Sequence, residues 1–221
     1  MTKTITVKGI GKVSVAPDYV VLSMKLNSQD MDYEKAMASA AENIEQLNVS
    51  LEAAGFEKKA VKTTKFNVHT EYEYKRKKDG SSKRVFNGYV VEHNLRLEFD
   101  FDSKRLAEAL STIGSCLAHP MLTISFTVKD QTAINEEMLR NAAANAKAKA
   151  EILCDASGKE LGELLGIDYN WGELDIHSDT RYNIDDDCLA VPMFLKKSVE
   201  IDIEPDDIDI SDTATFVWEI K

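Results

Sequence analysis

The chain has 221 residues, of which 43% are hydrophobic and 29% charged, and a formal net charge of −11. That is ordinary globular material, enough for the core of one large or two small domains. A surface this negative repels a phosphate backbone, which argues against general nucleic-acid binding.

No basic segment followed by an apolar run opens the chain, and no stretch approaches the roughly 18 apolar residues of a spanning helix. The expectation is therefore a cytoplasmic protein, or a periplasmic one had a leader been trimmed. From the first residues the pattern is a strand: Ile5, Val7, Val13 and Val15 alternate with polar neighbours, and Val20, Leu22, Met24 and Leu26 continue after a Pro17-Asp18 turn. Gly9 and Gly11 interrupt the first run and mark a bulge or a close backbone approach. A helix is predicted over 32–54, with Ala36, Met37, Ala40, Ile44, Leu47 and Leu51 on one stripe, an aspartate cap at its start and Gly55 past its end.

A long ribbon follows. Phe66, Val68, Thr70, Tyr72 and Tyr74 alternate with polar residues. After a polar tip, Tyr89, Val91, Leu95, Leu97 and Phe99 return. Two strands of about ten residues reach ~34 Å, longer than the domain that carries them, so the outer half needs another surface to cover it. Next come a short helix over 103–115, a strand over 122–128 and a long helix over 132–157. The last has an alanine-rich middle, which favours helix and lets it lie close to a neighbour. Ile167, Tyr169 and Trp171 suggest a strand, 172–190 reads as an acidic loop, and strands resume over 198–203 and 213–220 around Pro205-Asp206. The irregular mixture of hairpins and helices predicts an α+β class: an antiparallel sheet with a protruding hairpin, two longer helices and one short one. One domain over 1–221 is expected, with a two-lobed division near 102–130 as the alternative.

Candidate sites are few. The hairpin tip carries Lys75, Arg76, Lys77, Lys78, Lys83 and Arg84 against one acid, Asp79. In so acidic a chain it could steer an acidic partner or a neighbouring subunit, with Tyr72 and Tyr74 as contact residues; the plain alternative is a solvated tip. Nucleic-acid stacking on Tyr72, Tyr74 and Phe86 is the weakest reading of the same tip. Asp185, Asp186 and Asp187 could meet a hard cation, but they lack the spacing of a calcium loop and read as solvated. His69 and His93 sit on predicted strands that the hairpin could bring together; His119 and His177 are isolated. Cys116, Cys154 and Cys188 are odd in number, with no zinc or disulfide spacing. No nucleophile elbow or phosphate loop occurs, since Gly9-x-Gly11 precedes a strand and has no third glycine. No catalytic residue, metal site or cofactor is assigned.

Residues 5–18, Ile-Thr-Val-Lys-Gly-Ile-Gly-Lys-Val-Ser-Val-Ala-Pro-Asp, resemble the opening of the SIMPL domain family, long catalogued as a domain of unknown function. Lys62-Thr63-Thr64 before an aromatic strand, Gly88-Tyr89 after the hairpin tip, and Ala156-Ser157-Gly158-Lys159-Glu160-Leu161-Gly162 after the alanine-rich helix agree. The resemblance implies an α+β fold and, often, homo-oligomers. Its bacterial members are often exported envelope proteins, some associated with stress tolerance, and an animal member associates with a Pelle-like signalling kinase. It supplies no catalytic residues. The expected function is non-enzymatic self-assembly and partner binding, without nucleic acid or a membrane span. The alternative is a small-molecule or metal-binding module with a pocket between the alanine-rich helix and the sheet.

Overall fold

The computed structural model describes residues 3–76, 82–169, 176–184 and 203–221. The elements in chain order are β1 (Thr4–Val15), β2 (Tyr19–Asp30), α1 (Tyr33–Ala53), β3 (Lys62–Arg76), β4 (Ser82–Asp100), α2 (Ser103–Ser115), β5 (Met121–Thr127), α3 (Gln131–Ala156), β6 (Leu161–Asp168), β7 (His177–Ile184) and β8 (Ile208–Ile220). They form two compact units, one of residues 1–18, 127–179 and 205–221, the other of 19–126 and 180–204. The class is α+β, with antiparallel pairing throughout the registers β1–β8, β6–β8, β2–β4 and β3–β4.

In the first unit the strands are ordered β1-β8-β6. The β1–β8 register runs from Thr4↔Glu219 to Val15↔Ile208 without a break. Gly9 and Gly11 therefore mark no bulge there; they mark a close approach. Together with Val7 and Val13 they form the buried face of β1, on which α3 lies. A Cβ on Gly9 would stand 2.1 Å from the Ala142 carbonyl oxygen, and one on Gly11 2.1 Å from that of Met138. The helix contributes Met138, Ala142, Ala146, Ala150 and Cys154, one small or flexible residue per turn on a single stripe. The room that the alanines leave is taken by the strand's own backbone, which corrects the expectation of a ligand pocket between this helix and its sheet. Val7, Phe216 and Trp218 pack beside the alanines, while Val13, Val128, Met138, Ile176, Ile208 and Ile210 form a second cluster. Each large side chain so buried contributes about 1.5–3 kcal/mol.

The outer edge of β1 is covered by the same helix. Asn145 accepts from the Ile10 amide at 3.0 Å, Asn141 donates to the Lys12 carbonyl at 3.1 Å and Lys149 to that of Lys8 at 3.1 Å. Spaced four residues apart, these side chains occupy backbone groups that an open edge would offer to another chain.

In the second unit the strand order is β3-β4-β2-β5-β7. Val20, Leu22, Met24 and Leu26 of β2 and Leu95, Leu97 and Phe99 of β4 face Leu47 and Leu51 of α1 and Leu106 and Ile113 of α2. The α1 helix starts where expected because Asp32 accepts from the amides of Glu34 and Lys35 at 2.9 and 3.3 Å. It ends before Gly55, whose φ of 81° suits glycine. Asp102 and Asp130 cap α2 and α3 in the same way.

Three expectations need correction. Residues 172–190 are not loop throughout, since β7 occupies His177–Ile184; the surrounding aspartates masked a Thr-Arg-Tyr-Asn alternation. The strand expected from Ile167 begins at Leu161, and a Cβ on Gly162 would stand 2.9 Å from the Glu219 carbonyl oxygen. The last strand begins at Ile208 rather than Thr213, its start hidden by alternating acids. Trp171, Asp185, Asp186, Asp187, Cys188 and residues 198–202 of the strand expected over 198–203 lie outside the described residues, and Ile203 is not in a strand. Cys116 and Cys154 are buried free thiols.

Candidate functional site: a basic and aromatic hairpin arm

Only Tyr89–Asp100 of β4 also pairs with β2. Beyond Gly88, among the described residues, the ribbon has just its own two strands, with Tyr72 opposite Phe86, Glu73 opposite Val85, Tyr74 opposite Arg84, Lys75 opposite Lys83 and Arg76 opposite Ser82. This two-stranded extension is the arm.

A bulge decides what the arm displays. The register passes from Glu71↔Gly88 to Tyr72↔Phe86, leaving Asn87 as the extra residue on β4. Side chains alternate along a strand, so if Asn87 paired with Tyr72 in regular register, Phe86 and Arg84 would lie opposite Glu73 and Lys75, on the face away from Tyr72 and Tyr74. With the bulge, Tyr72, Tyr74, Arg84 and Phe86 share one face. Gly88 makes the turn of the backbone possible at a φ of 113°, and a Cβ there would also stand 2.6 Å from the Asp30 carbonyl oxygen. The base is pinned on the other face: Gln29 Nε2 donates to Glu71 at 2.6 Å and to the Asn87 carbonyl at 2.7 Å, and Asn87 Nδ2 donates to Glu71 at 3.2 Å.

The shared face is a ladder of rings in edge contact. Tyr33 of α1 meets Tyr89 at 5.6 Å, Tyr89 meets Phe86 at 5.4 Å, and Phe86 meets Tyr72 at 5.7 Å. The Arg84 guanidinium closes it, 3.7 Å above the Tyr72 ring. Tyr74 is 70% exposed. Met31 and Tyr33, also exposed, extend the apolar surface at the start of α1.

The candidate residues thus divide. Tyr72, Tyr74 and Arg84 come together, and Arg76 falls on their face by alternation. Lys75 and Lys83 oppose one another on the other face, a like-charge pairing that Glu73 relieves, 3.3 Å from Lys75. Lys77 and Lys78 lie outside the described residues. The sequence groups Phe86 and Arg84 with the tyrosines but does not foresee the bulge that sets them on one face; the Asn87-Gly88 pair, interrupting the alternation after Phe86, is the available signal.

The histidines do not converge. His93 faces α1's side of the sheet, its Nε2 2.8 Å from Thr63 Oγ1 and its ring 5.2 Å from that of Phe66. His69 points to the opposite face, beside Asn67. Burial pushes the His93 imidazole below its ordinary value. Among the described residues there is no group of three His, Cys, Asp or Glu able to hold a metal ion.

A groove of about 390 Å³ opens elsewhere in the same unit, lined by Ser23, Lys25, Thr64, Asn94, Thr123 and Asn183 among others. Nearby, Lys25 at 3.1 Å and Lys65 at 3.4 Å converge on Glu92. The hydrogen bond from Lys25 holds the Glu92 carboxyl below the usual range, against the opposing effect of burial, and Lys65 adds to it.

The family described as "SIMPL: Protein of unknown function (DUF541)" matches residues 5–218. A 26 kDa periplasmic immunogenic protein of Brucella melitensis is 26% identical over 170 residues, covering 74% of this chain and 65% of the relative. The protein of the same name from Brucella abortus strain S19 is 25% identical over the same coverage. Both are named as periplasmic, which corrects the cytoplasmic expectation drawn from the opening residues alone. Among the described residues no helix is long and apolar enough to cross a membrane.

Proposed function

The chain belongs to the SIMPL family, and on that premise we propose that it works in the periplasm as a binding protein without chemistry of its own, using the arm to engage a partner protein or a second copy of itself. The observation that carries this reading is the ladder face of the arm. Rings and an arginine are set on one side by a bulge, and among the described residues nothing lies over Tyr74. Exposed aromatic and arginine side chains on a preorganised element are what binding hot spots are made of. The location rests on the names of the relatives, and self-assembly rests on the family resemblance together with the arm.

The charge contrast gives the test. Lys75→Glu, Arg76→Glu, Lys83→Glu and Arg84→Glu combined reverse the described basic residues of the arm without touching the core. Solution mass and affinity capture from the native cells are compared at low and high salt. The expected outcome is an assembly or a captured partner in the native protein that weakens at least about tenfold in the variant and in high salt. Unchanged mass and unchanged capture would refute the proposal.

A second reading, a small-molecule module, rests on the groove beside Asn94, whose hydroxyl and amide lining suits a neutral polar ligand. A thermal-shift panel of such ligands that stays flat would remove it.

A further inference from the structure

The strand order ends on β3, and among the described residues no strand pairs with its outer edge. At 15 residues it is long for an edge strand, against a usual five or six. It is also regular where it matters. The extra residue of the second bulge, Asn87, belongs to β4, so β3 runs without insertion from Lys65 to Arg76. The edge of β1 shows how this protein closes an edge, with Asn141, Asn145 and Lys149 on its backbone groups. Among the described residues no such side chains serve β3. Along one face of it stand Phe66, 49% exposed, Val68, Tyr72, 38% exposed, and Tyr74. At its outer end the described basic residues Lys75, Arg76, Lys83 and Arg84 are accompanied by one acid, Glu73.

We propose that β3 is a template for strand addition. An extended segment of a partner protein pairs with its free backbone groups, sets apolar side chains at alternate positions beside Phe66, Val68, Tyr72 and Tyr74, and carries carboxylates at the end next to Lys75 and Arg76. Main-chain hydrogen bonds supply affinity in this mode, and the alternate side chains supply specificity. The aromatic row fixes which face of the incoming strand is apolar, because a slip of one residue would turn that face away. The basic end selects acidic segments and gives the strand a direction. The inference rests on the reading of the arm as a binding element and names how it binds.

The probe is a synthetic peptide of about nine residues, long enough to pair the regular part of the edge. Valine and threonine alternate along it, with glutamates at one end or the other in two versions, and a counterpart is N-methylated at alternate backbone nitrogens. Binding and amide hydrogen exchange are measured on the full chain. One peptide direction is expected to slow exchange at every second amide of β3 between Lys65 and Arg76. N-methylation should abolish that protection, and Tyr74→Ser should weaken binding about tenfold, as should high salt. Absence of protection on β3 with both peptides, or equal binding by the N-methylated form, overturns strand addition. The broader reading is judged apart. If charge reversal at Arg84 releases a captured partner while the β3 amides exchange equally fast with and without that partner, the arm binds but strand addition is wrong. If β3 is protected by the peptide while capture ignores the charge reversal, strand addition stands and the charge-steered arm falls.

Discussion

A methyl group on Gly9 would stand 2.1 Å from the carbonyl oxygen of Ala142, on a helix backbone that cannot step aside cheaply. Gly9→Ala or Gly11→Ala should therefore cost about 3 kcal/mol or more in urea unfolding, as overpacking of a closed contact does. Gly166→Ala is the control. Nothing lies within 4 Å of the added carbon there, and its change should stay below about 1 kcal/mol. The sequence posed the choice at Gly9 and Gly11 as bulge or close approach. It could not decide, because the answer lies in a helix more than a hundred residues away. His93 makes a second prediction at this scale. Burial lowers its folded value, so between that value and the unfolded one near pH 6.5 the unfolded chain binds more protons. Its contribution is intact above about pH 6.5 and is lost as the pH falls toward the folded value. On going from about pH 7.5 to about pH 5.5, the thermal midpoint of the native protein should fall further than that of His93→Gln. Equal falls would remove the assigned cause.

Elements with strong periodicity are legible in the sequence. The α2 bounds agree at both ends, and those of α1 and α3 agree to within a residue or so, because stripe, aspartate cap and terminal glycine point the same way. β7 and the start of β8 were hidden by aspartates, which are poor strand formers in isolation but are accepted where a neighbouring strand supplies the pairing, as β5 does for β7 and β1 for the start of β8. The arm was visible as a long hairpin; its display was not, since a single inserted residue changes the facing of everything beyond it. Deleting Asn87 removes the extra residue and should leave Phe86 opposite Tyr72 in an unbroken ladder. NMR contacts between the Tyr72 and Phe86 rings should then persist, as should those between Phe66 and His93. Loss of the Tyr72–Phe86 contacts would contradict this register. In the other unit, Asn145→Ala should open the edge of β1 at a cost of about 1 kcal/mol and speed exchange of the Ile10 amide. An unchanged exchange rate there would mean that the edge is closed by something other than this side chain.

Two compact units, each with its own core, carry distinct surfaces. In one, a helix seals the sheet edge; in the other, no described strand or helix covers the outer edge of β3 or the arm. The family and the α+β class could be read from ordered motifs along the chain. The location could not, because the opening residues do not reveal the compartment that the names of the relatives point to. The account of function stands on one face of the arm, and a photo-crosslinking residue placed there tests it most directly. Tyr74→p-benzoylphenylalanine is compared with the same replacement at Glu73, its neighbour on the opposite face, in the native cells under illumination. Specific protein adducts from position 74 and few from position 73 are the predicted result. No adducts from position 74, or the same adducts from both, would contradict the claim that this face is what the protein binds with.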